Sequence, residues 1–400
     1  MIHATPRSRH ASLLRPRARG LGLAASCLLA LASACTSGQS SGPDGTGGAG
    51  TGATGAGGGG ASTSSSTSTT STSTSSTTGN GGAGGTSCAP PPACDAAPPD
   101  PGAAQPWNDP LTPILVTSQG AARHRVRDLF LNPGDPQWVL AKLAYGALDK
   151  DLVGEWVDIY LLRDCAASWE LLGSALTTND GDHVSVEGVD DTGGRVFFPI
   201  PAGAALGAGR HRLHVVVRGD LTSADGFIEV VPAGTPLFVT DVDGTLTTYE
   251  TEEFVVLLTG NLPEPNPSSA EALALLADKG IRPFYLTARP EWLDGRTREF
   301  LAANGYPPGI VHTSLSFTGA LGNAAETYKT DELARVLARG LALRYAFGNT
   351  ATDAAAYANS GVSPLDHRVF FQFDDPQGGR RIESYAELLG ELAALPPECP

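Results

Sequence analysis

The stretch Pro236–Thr248, which reads PLFVTDVDGTLTT, decides the fold of this chain. Its apolar run, residues 237–239, leads into a turn that carries Asp241 and Asp243, a pattern typical of a buried strand that opens into a loop. Ligands of open α/β sheets bind beyond the carboxyl ends of such strands. Two carboxylates at that position need a cation or hydrogen bonds, so the stretch predicts a site. A polar turn at a strand end, or an acidic calcium loop, is the alternative interpretation.

After Pro236 the pattern alternates between strands and helices, which indicates a parallel α/β sheet. The apolar runs and Gly stop signals predict strands at 282–287, 310–313, 344–347 and 368–373, and helices at 268–279, 291–304, 326–339, 353–359 and 384–394. We therefore expect a Rossmann-like domain over residues 236–396, with insertions too short for a large cap domain.

Residues 107–232 have a different pattern, with short runs rich in β-branched and aromatic residues between turn clusters. Within residues 212–218, the apolar residues alternate with polar ones, which is the period of a half-buried strand. Short strands separated by such turns predict a β-sandwich domain whose role is to support or position the C-terminal domain.

The N-terminal quarter, residues 1–106, lacks the pattern of a folded domain. Residues 1–34 combine a basic start, a short apolar segment and small residues, as a signal peptide does, and residues 31–35 (LASAC) resemble a bacterial lipobox ending at Cys35. An ordinary secretory cleavage site is the alternative. Residues 36–106 are mostly Gly, Ser, Thr, Ala and Pro, which predicts a disordered linker. The sequence thus predicts an exported lipoprotein, anchored to a membrane by its lipid and otherwise secreted.

Cysteine content and charge constrain the partners of the chain. Outside the predicted signal and Cys35, four cysteines remain, at positions 88, 94, 165 and 399, which permits two disulfides in one of three pairings. With 42 acidic against 27 basic residues, the chain has a formal net charge of −15. This charge argues against nucleic acid as a partner and against a polybasic membrane patch.

The DVDGT motif, residues 241–245, resembles the first motif of the haloacid dehalogenase-like phosphatases. The resemblance implies that Asp241 attacks phosphorus and forms an aspartyl-phosphate, while Asp243 acts as general acid and base. It also implies Mg²⁺ as the cofactor, held by Asp241, by Asp243 through its carbonyl, and by an acidic residue of the fourth motif.

The other motifs of that family follow in the same order. The resemblance implies that Thr287 and Lys329 bind phosphate, and that Asp353 within GNTATD (residues 348–353) completes the metal site. Asn349 stands where the family usually has an acid, so its role is open. A capping threonine, a solvated lysine and a helix N-terminal aspartate are the alternatives for these positions taken singly.

A narrower resemblance points to lipids. Residues 241–247 and 346–357 look like the catalytic domain of lipins, which are Mg²⁺-dependent phosphatidate phosphatases, whereas residues 287–290 and 306–311 look like the C-terminal domain of the large phosphatidylinositol transfer proteins. That domain binds phosphatidic acid and generally lacks the catalytic aspartates, which this chain keeps. Arg289 is either a headgroup ligand or a surface guanidinium.

Two functions follow as hypotheses. The first is a Mg²⁺-dependent phosphatase acting on a phosphomonoester, with phosphatidic acid or another phospholipid as a candidate substrate. The alternative is a membrane-tethered module that binds phosphatidic acid or phosphoinositides without turnover. A structural surface protein whose β domain is the functional part is a third, weaker interpretation.

Overall fold

The computed structural model describes residues 88–248 and 262–399 of the chain. The predicted signal peptide and Cys35 lie outside these ranges. Of the predicted linker, only residues 88–106 are described, and they lie against the folded part rather than apart from it. Cys88 pairs with Cys399 and Cys94 pairs with Cys165, which settles the disulfide connectivity.

The first folded segment contains ten strands and one short helix, α1 (Thr112–Leu115). The strands are β1 (Arg125–Val126), β2 (Leu129–Leu131), β3 (Trp138–Lys142), β4 (Ala144–Tyr145), β5 (Lys150–Asp151), β6 (Trp156–Leu162), β7 (Glu170–Leu176), β8 (Arg195–Pro199), β9 (Gly209–Val217) and β10 (Ser223–Val230). A three-stranded sheet in the order β1-β3-β8 and a five-stranded sheet in the order β2-β10-β9-β6-β7 contribute to one apolar core. The predicted β-sandwich is therefore confirmed.

The second segment is a six-stranded parallel sheet with the order β13-β12-β11-β14-β15-β16. Its strands are β11 (Pro236–Thr240), β12 (Arg282–Leu286), β13 (Ile310–His312), β14 (Ala342–Gly348), β15 (Arg368–Phe371) and β16 (Arg380–Ile382). Its helices are α2 (Ser269–Asp278), α3 (Asp294–Ala303), α4 (Asn323–Ala338), α5 (Ala351–Asn359) and α6 (Leu389–Ala394). The predicted α/β class is confirmed.

The alternation of side chains along β11 explains how the sheet is covered on both faces. Phe238 packs into a cluster with Leu273 of α2, while Leu237 and Val239 pack into a second cluster with Leu333 of α4. Both faces of a parallel sheet must be buried in this way, which is why the strand reads as a continuous apolar run. Because β11 lies between β12 and β14, the DVDGT motif emerges near the middle of the sheet.

Candidate active site

The loop after β11 holds the two motif aspartates at the carboxyl end of the sheet. The Asp241 amide donates to the Phe347 carbonyl of β14 at 2.9 Å, which extends the strand pairing to the first aspartate. Gly244 then adopts a φ of 68°, a conformation that side chains rarely tolerate, and this permits the sharp turn. The Asp241 side chain is buried, whereas that of Asp243 is 24% exposed.

Lys329, in the second turn of α4, is buried between two carboxylates. Its Nζ donates to Asp241 Oδ1 at 2.6 Å and to Asp353 Oδ1 at 2.5 Å. Burial alone would lower the pKa of Lys329, but the two aspartates outweigh it and raise that pKa above its ordinary value. Burial raises the pKa of the Asp241 carboxyl to about 7, although the positive charge of Lys329 acts in the opposite direction. The Lys329 ammonium therefore places a positive charge beside the first motif aspartate, Asp241.

Asp353 is fully occupied by contacts within its own loop and with Lys329. Its Oδ2 accepts from the Asn349 amide (3.1 Å), the Thr350 amide (3.1 Å) and the Thr350 hydroxyl (2.8 Å), as the acidic member of a capping box at the start of α5. Its other oxygen takes the Lys329 ammonium. These contacts fix the loop and the lysine, and the metal-ligand role predicted for Asp353 stays a prediction.

The side-chain oxygen of Asn349 and the Asp241 carboxylate share one hydrogen-bond partner. The Thr245 hydroxyl lies 2.8 Å from Asn349 Oδ1 and 3.4 Å from Asp241 Oδ2, and so links the two side chains. The Asp241 carboxylate, the Asn349 amide and the Thr245 hydroxyl all offer oxygen atoms, the type of metal ligand that Mg²⁺ prefers. Asn349, whose role the sequence leaves open, is therefore linked to the first motif aspartate through the Thr245 hydroxyl.

Thr287 and Arg289 both contact the second motif aspartate. Thr287 Oγ1 donates to Asp243 Oδ2 at 3.2 Å. Arg289 Nη2 donates to Asp243 Oδ1 at 2.6 Å, and its Nε lies 3.1 and 3.0 Å from the two carboxylate oxygens. The Arg289 side chain is only 4% exposed, so the surface guanidinium considered from the sequence does not apply. Arg289 instead forms a buried ion pair at the mouth of the site.

The structure brings together every predicted site residue that it describes. Each lies at the carboxyl edge of the parallel sheet or on the helix that follows a strand: Asp241, Asp243, Thr287, Arg289, Lys329, Asn349 and Asp353. Cys35, the predicted lipidation site, lies outside the described residues. The roles of these residues in catalysis or metal binding stay predictions.

Sequence reasoning missed a set of buried ion pairs that join the β-sandwich to the loops of the site. Glu291, two residues beyond Arg289, accepts from Arg125 at 3.0 Å and from Arg195 at 2.9 Å. Burial alone would raise the pKa of Glu291, but the two guanidinium groups outweigh it and hold that pKa at about 2. The arginines come from β1 and β8, so the β-sandwich contacts the segment that carries Thr287 and Arg289.

A second pair connects the β-sandwich to the helix of Lys329. Glu332, one turn after Lys329, lies 2.7 Å from Arg127 and 2.6 Å from His312 Nδ1. Burial opposes ionisation, yet Arg127 and His312 lower the pKa of Glu332 to about 2. No motif in the sequence marks these residues, because their partners lie far away along the chain. Only an unusual number of charges in otherwise apolar elements signals such pairs.

Family models match two segments of the chain. Residues 122–230 match the model described as "PITM 1-3, beta-sandwich domain", and residues 238–371 match "PITM 1-3, LNS2 domain". Human membrane-associated phosphatidylinositol transfer protein 2 is 31% identical over 61% of this chain and 16% of its own length. The mouse protein of that name is 32% identical over 61% and 17%, and the Drosophila melanogaster protein retinal degeneration B is 28% identical over 68% and 20%. The chain spans at most about a fifth of these relatives.

These relatives overturn the localisation predicted from the sequence. They are named membrane-associated phosphatidylinositol transfer proteins, and the prediction of an exported lipoprotein is therefore wrong. Their names describe transfer rather than phosphatase activity, so they favour the lipid-binding alternative over the enzyme. Within residues 88–248 and 262–399, no helix is long and apolar enough to cross a membrane.

Proposed function

We propose that the site binds the phosphorylated headgroup of an anionic phospholipid, because residues 122–230 and 238–371 match the β-sandwich and LNS2 models of the PITM 1-3 family. The observation that carries the proposal is the convergence of Lys329, Thr287 and Arg289 on the neighbouring carboxylates of Asp241 and Asp243. A buried ammonium, a hydroxyl and a guanidinium together supply the donors that a phosphate monoester requires.

The charge of the site argues that a divalent cation accompanies the phosphate. Three carboxylates, at positions 241, 243 and 353, face two cationic side chains, Lys329 and Arg289. A phosphate that carries nearly two negative charges would make this balance strongly unfavourable in a buried site, and Mg²⁺ would compensate it.

The residues present fit such an ion. Among the described residues, no group of three or more His, Cys, Asp or Glu side chains has the spacing of a metal site. The atoms that fit Mg²⁺ are oxygens from different groups. They are the Asp241 carboxylate, the Asn349 amide oxygen and, as in the phosphatases that the motif resembles, the Asp243 carbonyl. When bound there, Mg²⁺ would neutralise phosphate charge. Asp353, whose Oδ1 accepts from Lys329, would position Lys329 and the Asn349 loop and stays a candidate metal ligand of this proposal.

Hydrolysis is the second candidate function, and the retention of both Asp241 and Asp243 favours it. In that reaction Asp243 must carry a proton to the leaving oxygen. Arg289 and the Thr287 hydroxyl instead occupy both oxygens of the Asp243 carboxylate. Turnover would require Arg289 to leave Asp243, for example by moving onto the phosphate. This geometry is why we place binding before catalysis.

One experiment tests both functions on the full chain. Flotation with phosphatidylcholine vesicles that contain a minor fraction of phosphatidic acid, with Mg²⁺ or with chelator, measures binding, and phosphate release from the same vesicles measures turnover. We expect Mg²⁺-dependent binding that the Lys329→Met variant loses. Release that disappears in Asp241→Asn would establish the enzyme. Equal flotation of the wild type and Lys329→Met would refute the proposed site.

A further inference from the structure

Several large apolar side chains are exposed near the loop that carries Thr287 and Arg289. Leu148 is 77% exposed, Phe317 is 48% exposed and Leu321 is 86% exposed. Trp292 lies next to Phe317, with ring centroids 6.5 Å apart, and is half-buried. We call these four residues the apolar rim. Exposing such groups to water gains nothing for the fold, so a cluster of them indicates an interaction surface.

The rim is attached directly to the loop that carries Thr287 and Arg289. The Ala320 amide donates to the carbonyl of Ala288 at 2.9 Å, and Trp292 Nε1 donates to the carbonyl of Phe317 at 2.8 Å. Ala288 lies between the two predicted headgroup ligands. Phe317 and Leu321 also belong to the segment that follows β13, so they lie at the same edge of the sheet as the aspartates.

Arg123 of the β-sandwich connects the two halves of the rim. Its guanidinium carbon lies 4.3 Å from the centroid of the Trp292 ring, and its Nη1 donates to the carbonyl of Ala147 at 3.3 Å. Ala147 precedes Leu148, so both domains contribute apolar groups around one cation. Tryptophan with a neighbouring arginine is the combination that membrane interfaces favour, because the ring is amphipathic and the guanidinium can reach lipid phosphates.

We propose that the apolar rim inserts into the surface of an anionic phospholipid bilayer and thereby holds the site over lipid headgroups. The proposal rests on the headgroup-binding function above and adds the surface that meets the membrane. Two observations favour a bilayer over another protein: the rim is hydrogen-bonded to the loop that carries Thr287 and Arg289, and the Arg123 cation lies within it. An acidic chain is repelled by an anionic surface unless apolar insertion and local cations hold it there.

The test compares the wild type with the double variant Phe317→Ser/Leu321→Ser in the full chain. Flotation with phosphatidylcholine vesicles that contain phosphatidic acid gives the apparent partition coefficient. We expect the apparent partition coefficient of the double variant to be lower by about tenfold or more, because two large apolar side chains no longer move from water into the bilayer. Calorimetric titration with glycerol 3-phosphate in Mg²⁺ should remain unchanged, because that soluble headgroup does not need the rim.

The matched control is Leu171→Ser/Val184→Ser, which removes two apolar side chains that are 59% and 78% exposed elsewhere on the β-sandwich. Its partition coefficient should equal that of the wild type. Equal vesicle binding by the rim variant, or an equal loss in the control, would overturn the proposal. So would a change from dimer to monomer in the rim variant, which would assign the surface to a second copy. If the wild type does not bind glycerol 3-phosphate, the proposed headgroup site itself would be refuted.

Discussion

Replacement of Glu291 by glutamine tests whether the β-sandwich holds the loop of the site. The carboxylate accepts from Arg125 and from both terminal nitrogens of Arg195, and all three side chains are at most 10% exposed. The variant keeps the shape of the side chain but leaves Arg195 without its carboxylate partner. Breaking a buried pair by removing one partner costs about 3–5 kcal/mol, so the free energy of unfolding should fall by that amount.

The pKa of Glu291 gives an independent value for the same loss. The pKa falls from an ordinary 4.5 to about 2 in the folded state, where burial opposes ionisation and the arginines outweigh it. Each pKa unit corresponds to about 1.4 kcal/mol, so the carboxylate contributes about 3 kcal/mol. Because the folded pKa is depressed, this contribution is complete above about pH 4.5 and is lost as the pH falls toward 2.

Urea unfolding of the full chain measures this contribution directly. At pH 7 the free energy of unfolding of Glu291→Gln should be about 3 kcal/mol lower than that of the wild type. This difference should shrink as the pH falls from about 4.5 toward 2. Glu391→Gln is the matched control, because its pair with Arg380 is exposed and should contribute less than about 1 kcal/mol. Equal losses in the two variants, or a difference that does not change with pH, would refute the reasoning.

Other substitutions give further expected outcomes. Lys329→Met leaves the Asp241 and Asp353 carboxylates facing each other, so it should lower the free energy of unfolding by about 3–5 kcal/mol and abolish headgroup binding; urea unfolding and vesicle flotation check the two effects. Arg127→Met should lower the free energy of unfolding by a similar amount, because it removes the guanidinium that lies 2.7 Å from Glu332, and the chemical denaturation midpoint should fall accordingly. Cys88→Ser removes a disulfide and should cost about 2–5 kcal/mol in the same assay, whereas no change would show that the bridge does not constrain the unfolded chain.

The elements that the sequence predicted well are those whose burial follows a simple period. Residues 156–162, one of the runs rich in β-branched and aromatic residues, form β6, in which buried and less buried side chains alternate. Glu170–Leu176 was missed, since it is an edge strand with exposed leucines and a glycine in its middle. Ser223–Val230 begins with polar residues and also contains a glycine, so its pairing with β9 was not visible from composition.

The site was predicted as a set of positions but not as a set of contacts. The DVDGT motif located Asp241 and Asp243 because it directly follows a recognisable strand. The use of both Asp353 oxygens by Lys329 and the capping box depends on the conformation of one loop, which the residue types do not determine. The partners of Glu291 are 96 and 166 residues away, so only the packing of the two domains creates that pair.

Calorimetric titration of the full chain with glycerol 3-phosphate tests the central claim most directly, because this ligand is the soluble headgroup of phosphatidic acid. In Mg²⁺ we predict saturable binding by the wild type and by Glu391→Gln, with loss of binding in Lys329→Met and in the presence of chelator. No binding by the wild type, or equal binding by Lys329→Met, would contradict the assignment of this site to a phosphorylated headgroup.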